Sequence, residues 1–266
     1  MYAFFSSNKG FENVYPMKLQ HDYPATLRQF AKDVGAPEIL VCDPNPSQKL
    51  FEVKDFCNKI GTTLMLLEQG TQWANRAELY VGLVKEAVRK YIRFSRSPLV
   101  LWDYVAECRA SIMSLTARDM FQLQVSNPHT TTFGKEGDIS HLCQFAWCER
   151  VYFYDNSSAT HFPFLKAMLG RVLGPAKNKG NEMRQLCLKS NGKVVPRRTV
   201  KRLTDEQLAP SNAIEIAKRT DFDKNISRKL GDSFFLLANR KEINTRSTGA
   251  ALEDFYGPTP FLIFMM

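Results

Sequence analysis

Two acidic residues, Asp43 and Glu78, have the types and spacing best suited to chemistry. Asp43 follows the continuous apolar run Ile39-Leu40-Val41-Cys42 and precedes Pro44. Glu78 stands 35 residues later, where a long helical pattern begins, with a helix and a strand in between. Two carboxylates brought to one spot repel unless a hard cation sits between them. Mg²⁺, or Mn²⁺ in its place, accepts a few carboxylates together with waters and phosphate oxygens. The chemistry implied is phosphoryl transfer on a polynucleotide. Counted by helical rotation, Lys85 and Arg89 each fall within about 20° of Glu78. They extend a polar stripe that could hold phosphates, while Ala77, Val81, Val84, Val88 and Tyr91 form a separate apolar stripe. An amphipathic helix with a charged outer face has the same pattern, and acid pairs at this spacing are common, so the plain reading stays open.

The elements needed to position these groups are readable. Tyr2 to Ser6 and Phe11 to Met17, joined through Asn8-Lys9-Gly10, predict a hairpin. Apolar residues at 27, 30, 31 and 34 predict a helix over 26–34, closed by Gly35 and Pro37. The run 39–42 lacks alternation and predicts a strand buried on both faces, with Asp43 at its carboxyl end, where open α/β sheets place ligands. A helix over 47–60, a strand over 62–67 and helices over 75–93 and 99–118 follow. Near Pro128 the character changes. Short strand-like runs at 145–154, 183–188 and 193–195, separated by Asn, Gly and Pro, predict a small β domain. Gly170 to Gly180 reads as turns between short strands, since it lacks the Gly-Lys-Ser/Thr ending of a phosphate loop. Residues 209–266 read as a linker or a poorly ordered extension.

With 266 residues, 44% hydrophobic and 24% charged, the chain has globular usage, which excludes disorder throughout. No apolar run reaches the roughly 18 to 20 residues of a membrane span. The start of the chain does not read as a secretory signal, and six scattered cysteines suit a reducing compartment. A soluble protein of the nucleus or cytoplasm, without membrane attachment, is expected. The net charge is +9, and residues 171–202 hold ten Lys or Arg against one acid, Glu182. Such a concentration suits a polyanion, nucleic acid first of all. Arg197, Arg198, Lys201 and Arg202 follow a strand reading and are the candidate phosphate contacts. A solvated basic face without a partner is the bland alternative.

Other candidates carry less. His141, Cys143, Cys148 and His161 do not have the spacing of paired zinc ligands, and Cys143, Phe145 and Trp147 read as one face of a strand. No Gly-x-Ser-x-Gly elbow occurs. Trp73 beside Asn75-Arg76 suits either a groove for DNA or a packing anchor.

Several blocks in order resemble copia-type retrotransposon integrases. The characteristic one is Phe56-Cys57-Asn58-Lys59-Ile60-Gly61 followed by Gln72-Trp73-Ala74-Asn75-Arg76-Ala77-Glu78. Val14-Tyr15-Pro16-Met17-Lys18, Phe30-Ala31-Lys32-Asp33-Val34-Gly35 and Leu101-Trp102 agree. So does Gly137-Asp138-Ile139-Ser140-His141-Leu142, and Leu173-Gly174, Lys179-Gly180-Asn181 and Gly192-Lys193-Val194-Val195-Pro196-Arg197-Arg198 resemble the family's glycine-marked strands. The resemblance covers roughly residues 1 to 208. It implies an α/β fold: a ribonuclease-H-like mixed sheet flanked by helices over 1–127, then a small mostly-β, SH3-like domain over 128–208 and an extension over 209–266. It implies that Asp43 and Glu78 are the second and third acids of an Asp, Asp, Glu triad that holds Mg²⁺ or Mn²⁺. DNA is the implied partner, and self-association into a homo-oligomer is compatible with it.

The strand bearing the family's first acid, central in such a sheet, has no counterpart in the chain, so the hairpin and the strand of Asp43 should each lack a backbone neighbour. An N-terminally truncated integrase, inactive by itself in strand transfer, is the leading expectation. A non-catalytic nucleic-acid-binding module is the alternative.

Overall fold

The computed structural model describes residues 2–5, 10–17, 19–42, 51–67, 76–116, 126–155, 167–176 and 184–230, with backbone alone at 2–5, 20 and 76–79. They belong to two units. Of the described residues, the first holds those within Met1–Val88 and Arg109–Asp138, the second those within Arg89–Cys108 and Ile139–Glu242.

In the first unit β1 (Tyr2–Phe5) pairs antiparallel with β2 (Glu12–Tyr15), and Gly10, at φ 63°, supplies the left-handed turn residue. This is the expected hairpin. Helix α1 (Tyr23–Val34) starts three residues before the expected position 26. Pro24 fits its first turn, where no N–H is needed, and it stops at Gly35. Strand β3 (Ile39–Cys42), helix α2 (Phe51–Lys59) and strand β4 (Thr63–Leu66) form a crossover with β3 and β4 parallel, Ile39 opposite Thr63 and Cys42 opposite Leu66. Tyr23 and Leu27 of α1, Leu40 and Cys42 of β3, and Val53 and Cys57 of α2 form the core. Ile39 and Val41 are only half-buried. The strand expected to be covered on both faces is therefore closed on one, because both flanking helices pack on the side of Leu40 and Cys42.

The hairpin and the parallel pair are separate two-stranded sheets among the described residues. A helix side chain serves the hairpin's outer edge. Ser114, on α4 (Trp102–Leu115), accepts a hydrogen bond from the Glu12 N–H at 3.0 Å and donates one to the Glu12 carbonyl at 2.8 Å. Both residues are buried. Ser114→Ala leaves a buried donor and acceptor unmet and is expected to cost about 1–3 kcal/mol in urea unfolding. A loss below a few tenths would mean that solvent reaches that edge. Helix α3 (Arg76–Ser95) precedes α4, and α5 (Pro128–Phe133) is capped by Asn127, whose side chain accepts from the Thr130 N–H.

The second unit is an antiparallel five-stranded sheet of order β8-β7-β6-β5-β9: β5 (Arg150–Tyr154), β6 (Ala167–Pro175), β7 (Gln185–Leu188), β8 (Val194–Arg197) and β9 (Val200–Arg202). The small β domain expected from sequence has its strands here, with one large difference. The glycine-marked stretch read as turns contains β6, the longest strand. Gly170 is required there because a Cβ would stand 2.5 Å from the Phe153 ring on β5 and 2.9 Å from the Leu188 carbonyl. Gly174, at φ 105°, sits where the register with β7 shifts.

Two further readings are corrected. Cys143, Phe145 and Trp147 do not share a strand: Cys143 ends the short helix α6 (Ser140–Cys143) and turns follow. Part of the segment read as an extension is helical, with α7 (Asp205–Leu208) closed by a Thr204 capping box and α8 (Ala213–Leu230) beyond it. Phe222 and Ile226 of α8 are buried with Leu101, Leu173 and Leu188 against one face of the sheet. Val151, Phe153, Val172 and Cys187 fill the other.

Candidate functional site

Position 43 follows directly on β3, whose carboxyl end lies beside that of its parallel neighbour β4. Asp43 itself is outside the described residues, and so is Trp73. Glu78 is the third residue of α3, the helix that follows β4 in the chain, and its side chain is likewise outside them. Farther along α3, Val81 and Val84 are buried as the apolar stripe requires, Lys85 is half-buried and Arg89 is exposed. Two carboxylates brought to one spot would suit a hard divalent cation. Among the described residues no group of three or more His, Cys, Asp or Glu could hold a metal; His161 lies outside them.

The cations of residues 171–202 divide sharply. Arg171 pairs with Asp223 of α8 at 2.6 Å, and Arg150 joins the same carboxylate at 2.7 Å. Asp155, fully buried just after β5, is paired with both Lys189 and Arg197; the Arg197 contact measures 2.7 Å. Arg202 pairs with Glu149 at 3.0 Å, donates to the Gln144 carbonyl, and lies over the Phe145 ring. The acids Asp155, Glu149 and Asp223 all lie outside the basic segment. Four of the segment's ten cations, Arg171, Lys189, Arg197 and Arg202, are thus paired inside the unit.

Arg198 and Lys201 differ. They are exposed on and beside β9 and have no partner among the described residues. Of Arg197, Arg198, Lys201 and Arg202, these two are available to a polyanion, while Arg197 and Arg202 are engaged. Sequence reasoning missed Lys224, Arg228 and Lys229, exposed on the outer side of α8. The available signal was the spacing of Phe222 and Ile226, which places 224 and 228 on the opposite side of a helix.

At the start of α8 Glu215 is buried, accepts from the Tyr152 hydroxyl at 2.7 Å and pairs with Lys218 at 2.8 Å. The Lys218 hydrogen bond holds the Glu215 carboxyl below the usual carboxylate range. Burial, then the bond to Glu215, pushes the Tyr152 hydroxyl up to about 12 from 10.0. A hydroxyl whose pKa is raised by folding contributes stability in full below its unfolded value and loses it as pH rises through the folded one. Unfolding free energy should therefore fall between pH 10 and about 12, and Tyr152→Phe should flatten that fall. An identical alkaline slope in both proteins would show that other groups govern it.

No protein-family model matches the chain, and no curated protein matches it in sequence. Among solved structures, the HTLV-2 integrase catalytic core domain, in complex with magnesium and in a trimeric form, is similar at 14% identity and a TM-score of 0.40. The likeness covers 49% of this chain and 82% of that one. A simian T-cell lymphotropic virus intasome in complex with PP2A regulatory subunit B56 gamma is similar at 12% identity and a TM-score of 0.39, over 74% of this chain and 69% of that one. Among the described residues no helix is long and apolar enough to cross a membrane.

Proposed function

We propose that the chain is a retrotransposon integrase module whose chemistry descends from metal-dependent polynucleotidyl transfer, with Asp43 and Glu78 as acids for Mg²⁺ or Mn²⁺ and DNA as partner. The observation that carries the reading is the β3–α2–β4 crossover running on into α3. That order supports one acid after a strand and another in the first turn of the following long helix, the arrangement the sequence resemblance implies. A bound divalent ion would stabilise charge on a phosphate. Lys85 and Arg89 would carry the phosphates beyond it. Two carboxylates grip such an ion less tightly than three, so the 266-residue chain is expected to bind Mg²⁺ yet join no DNA ends by itself. Incubation with a processed DNA end and Mg²⁺ or Mn²⁺ tests this, and joining that Glu78→Gln abolishes would refute the proposed inactivity.

The exposed cations Arg198, Lys201, Lys224 and Arg228 favour a second reading, a nucleic-acid-binding module that does no chemistry. Melting under Mg²⁺ separates the two. A paired-acid site gains about 2.7 kcal/mol at a hundredfold excess over its dissociation constant, whereas a pure binding module is indifferent. Charge reversal at Arg198 and Lys201 should weaken binding to every DNA sequence alike and lower the slope of log affinity against log salt by about 2. A slope unchanged by both substitutions would remove these two side chains from the interface.

A further inference from the structure

Among the described residues strand β4 has an open outer edge. The Thr63 N–H donates to the Glu38 carbonyl at 2.9 Å, and the Leu67 N–H donates to the Cys42 carbonyl at 2.8 Å. In a parallel ladder this turns Thr63, Met65 and Leu67 toward β3 and the main-chain groups of Leu64 and Leu66 away from it. Among the described residues no strand pairs with that outer edge. A groove of about 690 Å³ runs alongside. It is lined by Lys54 and Asn58 of α2, by Gly61 and Thr62, and by Thr63, Leu64 and Leu66 of β4. Lys54 and Asn58 are four residues apart and so present neighbouring polar groups on one helix face.

The charges around the groove are uneven. Lys59 is paired with Asp55, and Arg28 with Glu52. Lys54 is exposed and has no partner among the described residues. Strand β4 adds apolar surface, with Leu66 37% exposed. Taken together, the groove offers a row of main-chain donors and acceptors, an apolar strip, and one ammonium group beside an amide.

We propose that this groove takes an extended acidic segment of a partner protein, added beside β4 as a further strand, with a carboxylate of the segment on Lys54. Main-chain pairing supplies the affinity of such additions and the side-chain contacts supply the selectivity. The single cation decides the class of occupant. A second copy of this chain pairing through Thr63–Leu66 would bring no acid from that strand to Lys54, and a nucleic acid has no peptide backbone to continue the ladder. The proposal is independent of the nucleic-acid reading.

The test uses the full chain and two soluble nonapeptides, one alternating valine with glutamate and one alternating valine with lysine. Fluorescence anisotropy gives the affinities, and amide hydrogen exchange by NMR reports on Leu64 and Leu66. The glutamate peptide should bind about fivefold or more tightly than the lysine peptide and slow exchange at both amides. Lys54→Glu, a surface change, should reverse the preference, and Leu66→Pro, which removes an edge N–H, should weaken both peptides. Unprotected amides at 64 and 66, or a preference unaltered in Lys54→Glu, would overturn the proposal. So would protection that appears without peptide and grows with protein concentration, which would identify a second copy as the occupant.

Discussion

Asp155→Ala is expected to destabilise the second unit by about 3–5 kcal/mol, because it strands two cations around a buried site once their shared carboxylate is gone. Asp155 follows β5, Lys189 follows β7 and Arg197 ends β8. In the sheet order β8 and β5 are separated by β7 and β6, so these contacts require the sheet to curl until non-neighbouring strand ends meet. Arg197 also lies over the Phe153 ring, 6.0 Å from its centroid. Urea unfolding of the variant measures the loss. Replacing all three charged residues by apolar ones of similar volume should recover part of it, since a buried ion cluster as a whole is worth much less than the penalty for breaking it. A loss under 1 kcal/mol for Asp155→Ala would mean that water reaches the cluster and the curl is held by other contacts.

Gly170→Ala is expected to cost about 3 kcal/mol, the upper end for an overpacked interior. The new methyl would meet the Phe153 ring at 2.5 Å and the Leu188 carbonyl at 2.9 Å. The ring can turn or be trimmed, but the carbonyl belongs to β7 backbone. Gly170→Ala with Phe153→Leu should therefore be less destabilised than the sum of the two single changes, with a coupling of about 1 kcal/mol or more. Strict additivity would show that the backbone contact alone sets the cost.

How much could be read in advance depended on whether the deciding contact was local. The hairpin, β3, α2, β4 and α3 were legible because apolar spacing and turn residues act over a few positions. From residue pattern alone strand β6 was not, because Gly170 and Gly174 carry the same letters as turn glycines; only the family resemblance marked Leu173-Gly174 as strand. Only the Phe153 ring, 17 residues earlier, explains Gly170. Helix α8 was missed because its apolar stripe is thin. Phe222 and Ile226 supply most of it, and Asp223 and Glu215 anchor the rest through Arg150, Arg171 and Tyr152. The charge of residues 171–202 was countable in the sequence, but which of its cations are paired was not, since Arg197 meets its acid 42 positions away. Of the candidate site, sequence order supplied positions 43 and 78, and the exposure that separates Arg198 and Lys201 from Arg197 and Arg202 came only with the tertiary structure.

The origin of α8's carboxylates bears on how a fragment of this protein would behave on a heparin column. A piece ending at 208, the limit of the family resemblance, would lack Asp223, the counter-charge of Arg150 and Arg171, and Glu215, the acceptor of Tyr152, and would leave a sheet face of leucines uncovered. Such a piece would cling to polyanions more avidly than its parent, and that avidity would be an artefact of the cut.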